Sequence, residues 1–374
     1  MKKLCCFLAL ICLLVSLKAN FGTNFCSYAE SSSAKGMCVI EQSTKRILYE
    51  KNANKCLAMA STTKIMTALT TLSLCTNLDE KVNIDPKAVG ITGTSMYLRK
   101  GEVLTVRELL YGMMLPSGND AAVALAIHAA GSEEKFVAEM NLQASKLGAN
   151  YTHFANPHGL DERGHFTTAF DLALITAKAL ENKDFLEISM TKSKQVKGSK
   201  EGTVRYLKNK NRLLSSMEGC TGVKTGFTDD AGRCFVASID KNGLKAVCVV
   251  LGCGPMFEES QYLLQLATNE YQMFNVSDLM KSTLPVENSA ITSLNVETKD
   301  EILYPFKKSE IDSLKVELDL PEKIVAPAIK GTIIGKAKVF CSGRLLFEKD
   351  MFIMEDAKPI QTPEPTKSIL KNWF

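Results

Sequence analysis

One tryptophan, four histidines and almost no net charge are spread over 374 residues, and each scarcity excludes a class of function. The formal charge of +4 comes from 45 basic and 41 acidic residues. The first 29 positions hold Lys2, Lys3 and Lys18 and no acid, so the remainder carries 42 against 41, or +1. A chain so balanced lacks the basic face that a phosphate-tracking protein uses to release counterions, which excludes nucleic acid as a partner. There is no CxxC pair and no His/Cys spacing of the zinc type, so no structural metal or other cofactor is expected. After the first segment no apolar run reaches the ~18 residues of a spanning helix. Internal repeats are absent too.

What is present begins with Lys2-Lys3, an apolar run from Leu4 to Leu17, and a polar stretch ending Ser27-Tyr28-Ala29. Fourteen helical residues cover about 21 Å, short of the ~30 Å hydrocarbon core. The segment reads as an export signal, residues 1–29, cut after Ala29, and it places the rest of the chain outside the cytoplasm. Of the twelve cysteines, Cys5, Cys6, Cys12 and Cys26 fall within it. The eight others, at 38, 56, 75, 220, 234, 248, 253 and 341, are expected to be buried small hydrophobes rather than a disulfide framework.

A hydrophobic content of 45% with 23% charged residues supports one large domain and a smaller companion, and excludes general disorder. The expected large domain runs over 30–275. It opens with a hairpin, Met37-Cys38-Val39-Ile40 against Ile47-Leu48-Tyr49. Helices are expected over Ala58 to Leu74, Thr105 to Met114, Asp120 to Ala130 and Leu172 to Leu180, the last behind a Thr168/Asp171 capping box. Two strands, Arg233 to Ile239 and Leu244 to Leu251, flank an Asn242-Gly243 turn, and a helix from Glu258 to Phe274 closes the domain. From 276 to 358 short alternating stretches predict a small antiparallel β domain. The tail, 359–374, ends in Ile369, Leu370, Trp373 and Phe374 beside Lys371. On a helix these share one face that suits a membrane surface, though eight residues span only ~12 Å and cannot cross it.

The chemistry centres on Ser61-Thr62-Thr63-Lys64, a hydroxyl and an amine three residues apart on one helix face. Ser61 is the candidate nucleophile and Lys64 the candidate base, provided burial or a neighbouring cation lowers the lysine's pKa. Ser-x-x-Lys alone is unspecific, since it starts at Ser32, Ser61, Ser132, Ser189, Ser238 and Ser368. Only the Ser61 copy precedes a well-formed amphipathic helix and is followed by Ser117-Gly118-Asn119 and then Lys224-Thr225-Gly226. Ser117 is placed to relay a proton to a leaving amine, and Asn119 to hold Lys64 and a substrate carbonyl. Lys224 supplies the second cation, Thr225 binds a terminal carboxylate, and Gly226 lets backbone approach closely on an edge strand.

The ordered set resembles the penicillin-recognising serine acyltransferases. Ala60 to Thr67, Leu109 to Ala122 and Gly222 to Thr228 narrow it to the serine-type D-alanyl-D-alanine carboxypeptidases, with 276–356 resembling that family's β domain. The resemblance implies an α/β (α+β) fold of the β-lactamase/transpeptidase type: a central antiparallel sheet flanked by helices, plus a small all-β domain. It implies acylation of Ser61 by the penultimate D-alanine of peptidoglycan stem peptides, an oxyanion held by the N–H groups of Ser61 and Phe227, and β-lactams as covalent inhibitors. Many relatives carry an arginine soon after the second strand of the late hairpin to fix the substrate carboxylate. Here Gly252 to Gln261 holds no basic residue, leaving Thr225 and Lys224 for that task. His153, His158 and His165 resemble a framework segment of a family that uses no metal. Alternatives are a DD-endopeptidase on the same fold, a class A β-lactamase, for which no E-x-x-L-N base is found, and a non-catalytic penicillin sensor.

Overall fold

The computed structural model describes residues 24–198 and 204–360. The start of the expected export signal and the apolar end of the tail lie outside the described residues. The chain divides into two compact units, with the boundary between Asn269 and Glu270.

The first unit is built on a five-stranded antiparallel sheet. In spatial order its strands are Ile47–Lys51, Gly36–Glu41, Leu244–Leu251, Gly232–Lys241 and Cys220–Thr228. The two hairpins form as expected, and Gly36–Glu41 joins them by pairing with Leu244–Leu251. Gly36–Glu41 is buried throughout and Leu244–Leu251 nearly so, which is why both read as continuous apolar runs. Cys220–Thr228 lies at the edge of the sheet, where Lys224-Thr225-Gly226 was expected.

The helical layer is centred on Asn119–Ala130, whose residues from Asn119 to Ala126 are all buried. It packs against the helices Val106–Met114, Glu133–Lys146 and Lys64–Leu74. Thr105 caps Val106–Met114 in a full capping box with Glu108. At Ala169–Ala179 only half of the expected box forms. Thr168 Oγ1 accepts from Asp171 N, but the Asp171 carboxylate turns to Tyr151 N at 2.7 Å and Thr152 Oγ1 at 2.8 Å. The shorter aspartate side chain thus ties the preceding loop to the helix instead of closing on its own cap.

The helix expected from Glu258 to Phe274 runs Met256–Glu270 and gives way to a strand, Tyr271–Asn275, paired with Leu303–Lys307. Cross-strand partners outweigh local helical preference here, because Tyr271 faces Lys307 and Phe274 packs edge-on to Phe306. The second unit has a six-stranded sheet with its own core around Leu294, Val296, Phe306, Val339 and Met351. It departs from a purely antiparallel sheet where Val286 pairs in parallel with Ile324.

All eight described cysteines are free; seven are buried as expected, whereas Cys56 is exposed. The expected leader cut after Ala29 falls inside a helix, Asn24–Ser31, and Tyr28 packs at 4.3 Å on Tyr262. Among the described residues no helix is long and apolar enough to cross a membrane.

Candidate active site

Ser61 sits in a tight 3-10 turn, Ala60–Thr63, that leads directly into the helix Lys64–Leu74. The sequence favours a break at this point because Thr62 and Thr63 bond backward, to Met59 O at 2.6 Å and Ala60 O at 2.7 Å. Thr63 Oγ1 also lies 2.7 Å from His165 Nε2. His165 Nδ1 accepts from Ala155 N, so the ring is neutral with its proton on Nε2, donating to Thr63. Among the described residues no group of three or more metal-ligating side chains occurs.

Lys64 is completely buried, and its Nζ reaches Ser61 Oγ at 3.0 Å, Asn119 Oδ1 at 2.7 Å and His158 O at 2.5 Å. Burial, then Lys224, then Lys210 hold its pKa well below that of a free lysine, with Asp120 opposing. Burial, assisted by Lys210, brings Lys224 down to about 7. Its Nζ donates to Thr225 O at 2.9 Å, and the side chain lies beneath the cleft surface rather than in it.

Ser117 has a positive φ of 73° and its Oγ is buried with no hydrogen-bond partner. A left-handed serine and an orphaned buried hydroxyl are both costly, and such costs concentrate where a substrate completes the structure. Gly118 is required by space: a Cβ there would lie 2.9 Å from Gly112 O and 2.8 Å from Asp120 Oδ1. Gly226 answers the same question on the edge strand, since its Cβ would meet Ser61 N at 2.9 Å.

These elements enclose a cleft of about 500 Å³. Ser61, Ser117, Asn119, Thr225, Gly226 and Phe227 line it, while Lys64 and Lys224 are buried behind. All eight candidate residues therefore converge on one place.

The sequence pattern of the D-alanyl-D-alanine carboxypeptidase family matches residues 24–254, and that of the penicillin-binding protein 5 C-terminal domain matches 271–359. The chain belongs to the D-alanyl-D-alanine carboxypeptidase family. Membership makes it a serine-type carboxypeptidase. It is 32% identical to D-alanyl-D-alanine carboxypeptidase DacF of Bacillus subtilis, over 91% of this chain and 90% of the relative. DacC of Escherichia coli is 31% identical over 88% and 86%. Among solved structures, penicillin-binding protein 5 of Haemophilus influenzae superposes with a TM-score of 0.73 at 26% identity, covering 87% of this chain and 98% of its own. The Streptomyces K15 DD-transpeptidase covers 63% of this chain and 96% of its own at 35% identity, with a TM-score of 0.59.

Several contributors carried no motif signal. The carbonyl of His158 shares Lys64 with Asn119, and Lys210 adds a third cation near Lys64 and Lys224. Beside the cleft, Arg205 donates to Glu102 at 2.6 and 2.8 Å and to the carbonyls of Met96 and Tyr97 at 2.7 Å each. The same loop bonds to Asn119 through Thr92 O and Thr94 O. An Arg and a Glu 103 positions apart give no pattern in sequence.

Proposed function

We propose that the chain removes the terminal D-alanine from peptidoglycan pentapeptide stems through an acyl-serine at Ser61, outside the cytoplasm. The observation that carries this reading is a buried lysine of lowered pKa 3.0 Å from a serine that opens on a cleft. With Lys64 neutral, its two N–H bonds point to Asn119 Oδ1 and His158 O, and its lone pair is left for the Ser61 hydroxyl proton. As Ser61 Oγ bonds to the penultimate carbonyl carbon, the proton moves to Lys64 and the oxygen gains negative charge. The N–H groups of Ser61 and Phe227 receive that charge, a preorganised contribution of about 10²–10³ in rate per donor. Collapse breaks the C–N bond, and the proton passes from Lys64 through Ser117 Oγ to the departing D-alanine amine. Water then attacks the ester with Lys64 again as base, freeing Ser61. A β-lactam acylates the same oxygen.

The test is incubation with a pentapeptide stem and with a cross-linked dimer. Free D-alanine should appear from the pentapeptide, and Ser61→Ala should release none while remaining folded. Labelled penicillin should map to Ser61. Cleavage of the dimer alone would overturn the carboxypeptidase reading in favour of an endopeptidase.

A further inference from the structure

Among the described residues, Lys210 and Arg233 are the only charged ones lining the cleft, and no described acid lines it. Neither side chain forms an ion pair or hydrogen bond with a described residue, and Arg233 is exposed. A pocket with two unpaired cations and no acid is built for an anion. The two cations have different neighbourhoods. Lys210 lies close enough to Lys64 and Lys224 to lower both, whereas Arg233 acts on neither.

Arg233 belongs to the strand next to the edge. It pairs directly with Phe227, and Thr225 pairs with Phe235. Directly opposed residues of an antiparallel pair share a face, so Thr225, Phe227, Arg233 and Phe235 all project from one side of the sheet. Arg233 is then the diagonal neighbour of Thr225, roughly 7–8 Å away, a gap that a long side chain spans. Nearby, Phe257 packs at 4.9 Å on Phe235 and Met256 is buried, giving that end of the cleft an apolar floor.

We infer that Arg233 binds the free C-terminal carboxylate of the substrate together with the Thr225 hydroxyl. The inference rests on the proposed carboxypeptidase reading. A guanidinium fits a carboxylate with two parallel N–H bonds, which sets both the position and the end of the peptide that enters. Lys224 is buried and bonded to Thr225 O, so it is not the partner.

The full chain is assayed on acetyl-Lys-D-Ala-D-Ala as the free acid and as the C-terminal carboxamide. The unmodified protein should prefer the acid about tenfold or more in kcat/KM, mainly through KM. Arg233→Gln should reduce that preference to within about threefold, and Arg233→Lys should restore part of it. Full preference retained in Arg233→Gln, or a preference lost in Lys210→Gln instead, overturns the assignment. If the unmodified protein releases no D-alanine from the acid, the proposed function itself fails. Because Arg233 is exposed and unpaired, thermal melts of these variants should match the unmodified protein, so kinetic loss is not confused with unfolding.

Discussion

Asn119 Oδ1 accepts from Lys64 Nζ at 2.7 Å while its Nδ2 donates to Thr92 O at 2.6 Å. One amide thus ties the candidate base to the loop that forms the cleft wall. Both of its groups are used, so truncation leaves a buried amine and a carbonyl short of partners. Asn119→Ala should slow penicillin acylation by roughly 10–100-fold and cost about 1–3 kcal/mol of stability. Stopped-flow acylation and urea melts give the two numbers; an unchanged acylation rate contradicts the role.

Gly226 tests the close approach of the edge strand. A methyl there would lie 2.9 Å from Ser61 N and 3.1 Å from both Ala60 Cβ and Met59 O. Those neighbours are largely backbone, so something must move. Gly226→Ala should destabilise by about 1–3 kcal/mol and impair acylation of Ser61. Mass spectrometry after a penicillin pulse reads the fraction acylated.

The pH dependence follows from Lys64. Because its protonated form cannot act as base, acylation should fall as pH falls through the lowered pKa. Lys210 is one of the cations responsible, so Lys210→Gln should move the acidic limb of the acylation profile to higher pH. A limb that stays put, or moves to lower pH, contradicts the electrostatic account.

His165 gives a separate pH effect, on stability. Burial, with His153 next, holds its imidazole down at about 4, whereas an unfolded histidine titrates near 6.5. Its stabilising contribution is therefore complete above about 6.5. As pH falls from there toward 4 the unfolded chain takes up a proton that the folded one refuses, and stability drops by about 1.4 kcal/mol per pH unit. In His165→Gln this component should vanish, seen as a shallower loss of unfolding free energy over that window.

The Glu102–Arg205 pair is 1% and 10% exposed at its two side chains and holds the loop carbonyls of Met96 and Tyr97. Arg205→Met leaves Glu102 charged and buried, and should cost about 3–5 kcal/mol. Glu102→Gln, which keeps one acceptor oxygen for Arg205 and removes the charge, should cost less than Glu102→Ala. Calorimetric melts rank the three.

What the sequence determined by itself is what lies close together along the chain. Ser61 and Lys64 share a helix face by their spacing, the hairpins follow from alternation and an Asn-Gly turn, and the Thr105 cap is written in four residues. The candidate nucleophile, the candidate base and the three motifs were legible for that reason. Tertiary structure alone decided which distant groups meet them. It brought Asn119 and the His158 carbonyl onto Lys64, hid Lys224 beneath the cleft, turned Asp171 away from its own cap, and made strand of Tyr271 to Phe274, where helix was expected. It also set Arg233 diagonal to Thr225, at a position no motif marks. Spacing of three or four residues is enforced by the helix itself, whereas contacts across tens or hundreds of residues depend on sheet register and burial, which no local pattern encodes.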